Sequence, residues 1–241
     1  MYFCGLKKRS ELSKSIIKVI IPAFNEQNAV GLVIDEIPKD LVDEIIIVDN
    51  GSTDDTWQVA KERGATALKE IEKGYGRACL KGMAHLTMNE PKPDVVVFLD
   101  GDHSDFPEQM PDLVDPIISN EVDFVIGSRA LGQCEDGAMT FPQIFGNWFA
   151  TTLLRWIFKA RFTDLGPFRA IKYDKLLELE MQDPTYGWTV EMQVKAAKNG
   201  LRCKEVPVNY RNRIGFSKIS GTVSGTFKAG YKIIYTIFKY I

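Results

Sequence analysis

Two runs of this chain, Ile45-Ile46-Ile47-Val48 and Val95-Val96-Val97-Phe98-Leu99, are apolar at every position and stop abruptly at an acid, Asp49 and Asp100. Successive side chains of a strand point to opposite faces, so such a run must be covered on both sides, as in a parallel sheet layered between helices. The rest of the first half supplies both layers. Short β-branched runs at Lys18 to Pro22, Glu44 to Asp49, Ala65 to Lys69, Asp94 to Asp100 and Asp123 to Gly127 read as strands. Between them the spacing predicts helices over Gln27 to Ile37, Asp54 to Arg63, Tyr75 to Met88 and Pro107 to Ser119. Thr53 or Asp54 is the expected cap of the second helix, and Pro107 with Glu108 opens the fourth. This alternation defines an α/β fold with a mostly parallel central sheet flanked by helices.

Past Arg129 the pattern changes. An acidic, glycine-containing loop (Leu131 to Thr140) leads into an aromatic helical stretch from Gln143 to Phe162. Strands near Phe168 to Tyr173 and Leu201 to Tyr210 flank a helix at Thr189 to Lys198, and a last helical stretch runs from Gly221 to the end. Neither a repeat nor a stretch of linker composition divides the chain. The expected organisation is one domain over residues 1–220 with an amphipathic helical extension over 221–241.

With 241 residues, 45% of them hydrophobic, the chain can bury one substantial core. Its net charge of -2 conceals an asymmetry: 14 Lys+Arg against 25 Asp+Glu up to residue 138, and 16 against 7 after it. From Gln193 onward Glu205 is the sole acid among ten basic residues, a footprint for something anionic: nucleic acid, a phosphorylated substrate or a membrane surface. Cys4, Cys79, Cys134 and Cys203 are scattered without metal-ligand spacing, so a zinc site and a disulfide framework are disfavoured and a reducing cytoplasm fits. Lys7, Lys8 and Arg9 are not followed by an apolar segment of signal-peptide type, and no uncharged apolar stretch reaches membrane-spanning length.

Ligands of open α/β sheets collect beyond the carboxyl ends of the strands. Three such ends are polar here: Pro22-Ala23-Phe24-Asn25-Glu26, Asp49 to Thr56, and Asp100-Gly101-Asp102-His103-Ser104. Alternate carboxylates at Asp100 and Asp102 can reach one hard cation, and the intervening Gly101 allows close backbone approach. Oxygen ligands of this kind suit magnesium or manganese, which would bridge them to a diphosphate.

The ordered series PAFNE (22–26), VDNGSTDDT (48–56), KGYGRA (73–78), DGD (100–102), GSR (127–129), DLGPFRA (164–170), YGWTVEM (186–192) and RxGxSK (213–218) closely resembles the inverting glycosyltransferases of family 2, of GT-A fold. Within them it is similar to polyprenyl-phosphate sugar synthases of the dolichol-phosphate mannose synthase type. The resemblance implies that Pro22, Ala23, Asn25, Glu26 and Asp49 line the nucleoside pocket, and that Lys73, Gly74 and Gly76 form a loop over the donor diphosphate. It further implies that Asp100, Gly101 and Asp102 form the metal and donor site, with Arg129 stabilising the departing diphosphate. Asp164 and Arg169 are expected to shape the sugar and acceptor pocket, although Pro167 interrupts the usual segment between them.

Two kinds of acceptor are compatible with these motifs. A hydroxyl needs a base, and Glu191, beside Trp188 at the start of its helix, is the candidate the family suggests. A phosphate is largely ionised at neutral pH and needs cationic clamps instead, which Arg211, Arg213, Ser217 and Lys218 provide. The latter favours a lipid phosphate. The aromatic stretches Phe145 to Phe162 and Phe227 to Ile241, with interspersed Lys and Arg, resemble interfacial helices and point to peripheral attachment on the cytoplasmic membrane face. No nucleic-acid module is present, no G-x-G-x-x-G follows the first strand, and none of these residues sets an oligomeric state.

Overall fold

The computed structural model describes residues 14–215 and 223–241. Its strands are β1 (Ile17–Ala23), β2 (Glu44–Asp49), β3 (Thr66–Lys69), β4 (Val95–Phe98), β5 (Phe124–Ser128), β6 (Arg169–Lys172) and β7 (Cys203–Pro207). They form one sheet in the order β3-β2-β1-β4-β6-β5-β7. All neighbours run parallel except β6, which opposes both β4 and β5. The helices are α1 (Val30–Glu36), α2 (Thr56–Glu62), α3 (Tyr75–Met88), α4 (Met110–Ile118), α5 (Phe141–Phe158), α6 (Tyr173–Glu178), α7 (Trp188–Lys198) and α8 (Val223–Lys239). The mixed α/β architecture expected from the all-apolar strands is the one observed.

Strand parity sorts the core into two layers. Val19 and Ile21 of β1 pack with Val33, Ile34, Leu113 and Val114 of α1 and α4 on one face. Ile20, Val96 and Phe98 meet Ala78, Leu86 and Trp188 of α3 and α7 on the other. Each Val, Leu, Ile or Phe side chain among them, taken fully from water, contributes about 1.5–3 kcal/mol before conformational entropy is charged against it. Close approach of α3 to the sheet depends on Gly82, where an added Cβ would lie 2.6 Å from Cγ2 of Ile20.

The second half departs from the expected boundaries at several ends: α5 stops at Phe158 instead of Phe162, and β7 is shorter than Leu201 to Tyr210. Helix α5 begins at Phe141 because Thr140 and Gln143 form a reciprocal capping box and Pro142 takes an early position that needs no amide donor. The expected strand over Phe168 to Tyr173 gives way to α6 at Tyr173. The C-terminal helix α8 packs on α5 and α7, burying Thr236 and Ile237 while leaving Tyr231, Tyr235 and Phe238 exposed. Among the described residues no helix is long and apolar enough to cross a membrane.

Candidate active site

Three strand exits are stitched to one another by side chains that bond backbone. The amide of Asn25, held at a left-handed φ of 54°, donates to Oγ of Ser52 at 2.9 Å, and Oδ1 of Asn25 accepts from the amide of Thr53 at 2.8 Å. The Glu26 amide donates to Oγ1 of buried Thr56, also at 2.8 Å. Asp49 accepts from the Ser52 amide at 3.0 Å and so holds the turn after β2. Asn50 joins that turn to the glycine loop: its Oδ1 accepts from the Gly74 amide at 2.7 Å, while its Nδ2 donates to the Glu72 carbonyl at 2.8 Å.

The result is a cavity of about 270 Å³ at the carboxyl edge of the sheet. Pro22, Ala23, Glu26, Lys73, Gly74, Asp100, Gly101, Asp102 and Arg213, all singled out from sequence, line it together. Phe24, Asn50, Tyr75, Ala78 and Tyr186 complete the wall. Lys73 places its ammonium 4.6 Å above the centre of the Phe24 ring, inside the loop expected to cover a diphosphate. Gly76 does not face the cavity: an added Cβ there would lie 1.9 Å from the Asp183 carbonyl oxygen, so glycine allows the start of α3 to touch that loop.

Asp102 accepts at Oδ1 from the amide of Ser104 at 3.0 Å and from its hydroxyl, and at Oδ2 it meets Nη1 of Arg213 at 3.1 Å. Among the described residues, Oδ1 of Asp100 and Oδ1 of Asp105 are both buried without a hydrogen-bond partner. Burial first, then the charges of Asp102 and Asp105, raise Asp100 well above the ordinary carboxylate range. Asp105 is pushed up to about 7 by burial and then by Asp102. Crowded acids of this kind fit a hard divalent cation, which Asp100 and Asp102 would be placed to hold. Among the described residues no group of three His, Cys, Asp or Glu side chains could hold a metal by itself. Donor phosphate oxygens and water would therefore complete its shell.

Several expected site residues have other partners. Arg129 grips Asp164 through Nε at 2.8 Å and Nη2 at 2.7 Å, and neither lines the cavity. Burial opposes both charges, yet their pairing raises Arg129 and lowers Asp164 from their usual values. Arg169 is wholly buried and donates to the carbonyls of Leu165, Gly166 and Thr189, where it braces the loop before β6 rather than facing an acceptor. Trp188 is a core residue, its ring 4.7 Å from that of Phe98. Arg211 is engaged by Glu36 and by the carbonyls of His103 and Asp105.

Glu191 departs furthest from expectation. It is fully buried away from the cavity, accepting from the amides of Gln182 at 3.1 Å and Asp183 at 2.7 Å, and from Oη of Tyr240 at 2.6 Å. Lys195 completes its shell at 2.8 Å. The carboxylate is the hub of a buried hydrogen-bond network and does not line the cavity. Ser217 and Lys218 lie outside the described residues.

Of the cavity residues that sequence reasoning passed over, Asn50 and Tyr75 carried a signal. Asn50 follows a strand end and precedes a glycine, which reads as an ordinary turn until its side chain is seen spanning two loops. Tyr75 sits between Gly74 and Gly76, where its buried hydroxyl faces Asp100.

The polar strand exits, the glycine-lined loop and the Asp pair meet at one cavity on the carboxyl edge of the sheet, where open α/β sheets hold their ligands. The sequence model of Glycosyl transferase family 2 matches residues 18–179, and the chain belongs to that family. It is 31% identical to an uncharacterized glycosyltransferase of Mycobacterium tuberculosis, over 88% of this chain and 94% of that protein. Identity to the undecaprenyl-phosphate mannosyltransferase of Micrococcus luteus is 30%, over 87% of this chain and 89% of that one. Glucosyl-3-phosphoglycerate synthase from Mycobacterium tuberculosis, solved with Mn2+, UDP and glucosyl-3-phosphoglycerate, shares the fold at a TM-score of 0.73 and 24% identity, covering 94% of this chain and 80% of its own. The chain is a family 2 glycosyltransferase.

Proposed function

We propose that this enzyme moves a sugar from a nucleotide-sugar donor to a polyprenyl phosphate with inversion at the anomeric carbon. The observation that carries the reading is the contrast between the cavity and Glu191. The cavity wall holds the cations Lys73 and Arg213, whereas the carboxylate expected to serve as base is buried in a knot of amides. A hydroxyl acceptor needs such a base, but a phosphate monoester, with a second pKa of about 6, arrives already ionised. One of its oxygens attacks the anomeric carbon from the face opposite the diphosphate. The bond from that carbon to the diphosphate oxygen breaks, and no proton has to be removed.

Each protein group then has a task. Asn50 and Glu26 sit at the strand exits where base and ribose would lie, Lys73 offsets diphosphate charge, and Arg213 offers its guanidinium fork to phosphate. Mg2+ or Mn2+ held by Asp100 and Asp102 would supply Lewis-acid stabilisation of the leaving diphosphate. Names of relatives agree: besides the mannosyltransferase above, a dolichyl-phosphate hexose transferase of Haloferax volcanii is 29% identical over 87% of this chain.

Such an acceptor resides in a bilayer, and α5 and α8 offer a surface for one. No acid occurs from residue 137 to 163 or from 206 to 241. On α5, Phe141, Phe145, Trp148 and Trp156 are exposed, as are Tyr231, Tyr235 and Phe238 on α8, with Arg155, Lys159, Lys228 and Lys239 among them. Aromatic rings with carboxylate-free basic neighbours suit an anionic cytoplasmic leaflet.

The test is to supply labelled UDP- and GDP-sugars with Mg2+ or Mn2+ and compare polyprenyl phosphate, free polyprenol and soluble hydroxyl acceptors. Label passing to the phosphate alone supports the reading, and label passing only to a hydroxyl overturns it. Flotation with anionic liposomes checks the surface, which is withdrawn if the protein stays unbound at low salt.

A further inference from the structure

Arg213 occupies the donor cavity in a way that its expected acceptor role does not explain. Its Nη2 lies 2.8 Å from Oε1 of Glu26 and its Nη1 lies 3.1 Å from Oδ2 of Asp102. Oδ1 of Asp102 is already committed to the amide and hydroxyl of Ser104, so the guanidinium covers the oxygen left to face the cavity. The backbone on either side is pinned along the same loop. The Arg211 amide donates to the Ser104 carbonyl and the Ile214 amide to the Asp102 carbonyl, both at 3.0 Å. Among the described residues, Nε of Arg213 is buried without a hydrogen-bond partner.

We infer that Arg213 is the resident counter-ion of the donor site and makes cation and nucleoside diphosphate bind cooperatively. This inference rests on Asp100 and Asp102 being the cation site. A divalent cation held by Asp100 and Asp102 would compete with the guanidinium for Asp102 and be repelled by its charge, so a cation arriving alone would have to displace Arg213. A diphosphate changes the balance. It brings negative charge that both cations can share, and Arg213 has only to turn its side chain from Asp102 to a phosphate oxygen while its pinned backbone stays in place. The residue thereby lowers affinity for the free metal and links it to the presence of nucleotide, a coupling that is reciprocal by thermodynamic necessity.

The distinguishing experiment measures binding without turnover. Free Mn2+ is followed by electron paramagnetic resonance for the wild-type chain, Arg213→Gln and Arg213→Lys, with and without UDP or GDP, and ligand-free melting curves establish that the variants fold. Arg213→Gln is expected to bind Mn2+ alone about 5-fold or more tightly than wild type, and to lose most of the gain that nucleotide gives. Arg213→Lys keeps a cation beside Asp102 and is expected to retain weak binding of Mn2+ alone. Equal or weaker binding of Mn2+ by Arg213→Gln overturns the inference, because a merely structural arginine would lower affinity on removal. Failure of the wild type to bind Mn2+ with either nucleotide overturns the donor-site reading itself.

Discussion

Tyr240, at the end of the chain, donates its hydroxyl to Glu191 at 2.6 Å and so ties α8 to the first turn of α7. Glu191, itself fully buried, also gathers two loop amides and the partly buried Lys195. Glu191→Gln removes the charge that these donors share and is expected to cost about 2–4 kcal/mol of stability. Turnover per folded molecule, measured well below the melting temperature, should change by less than about 3-fold, whereas a general base would cost about 100-fold or more. An unchanged melting temperature with such a loss of rate would return Glu191 to the chemistry.

Arg129 and Asp164 form a two-pronged ion pair in which Asp164 also accepts from the Arg129 amide at 2.7 Å. Removing one partner strands the other charge in the interior. Arg129→Met and Asp164→Asn should each lose about 3–5 kcal/mol in urea unfolding, and the double variant less than the sum. Additive losses would mean that the two charges act independently.

Gly76 is set against the Asp183 carbonyl with no room for a methyl group. Gly76→Ala is expected to push the start of α3 away from that loop, costing about 1–3 kcal/mol by overpacking. Because Gly74 and Tyr75 line the cavity from the same turn, KM for the nucleotide sugar should rise as well. An alanine variant with unaltered melting temperature and KM would contradict the packing described.

Asp123 anchors the far edge of the sheet, accepting from Nη2 of Arg202 at 2.7 Å and from Nζ of Lys172 at 2.8 Å. The Arg202 hydrogen bond is the main cause that its pKa falls well below the usual value, with Lys172 adding to it against some burial. A lowered folded-state pKa stabilises the fold above the unfolded value, near 4, and that contribution is lost as pH falls through and below it. Asp123→Asn should therefore be about 2 kcal/mol less stable than wild type at pH 7, with the gap closing toward pH 2. A gap independent of pH would assign the loss to packing.

Asp100 is buried beside two other acids, Asp102 and Asp105. Asp100→Asn relieves like-charge crowding, so the ligand-free protein should melt at a higher temperature while cation-dependent UDP or GDP affinity falls about 100-fold. Calorimetric titration with and without Mn2+ reads both effects.

Burial pattern explains how far the sequence could be read. All-apolar runs announced β2 and β4, and polar strand exits announced the cavity edge, because two-sided burial and ligand placement leave marks at consecutive positions. Direction leaves none: the Arg169 to Lys172 strand looks alike whether parallel or antiparallel, and it runs against β4 and β5. Charge was the least legible property. Arg169, Arg129 and Glu191 resemble ligand-binding groups in sequence, yet their partners are backbone groups and buried ions contributed by distant segments. Asn50 shows the converse, since a residue typical of turns proved to tie the turn to the glycine loop.

The reversal of β6 has an evolutionary consequence. As antiparallel neighbours, β5 ends and β6 begins at the same edge of the sheet, so residues 129–168, with α5 and its exposed aromatic face, are the tip of one oversized hairpin. Such a tip can be lengthened, trimmed or exchanged while its two anchoring strands keep their register. The strands that build the donor cavity lie outside it. Changes in that tip can therefore remodel the exposed aromatic face while the strands that line the cavity stay as they are.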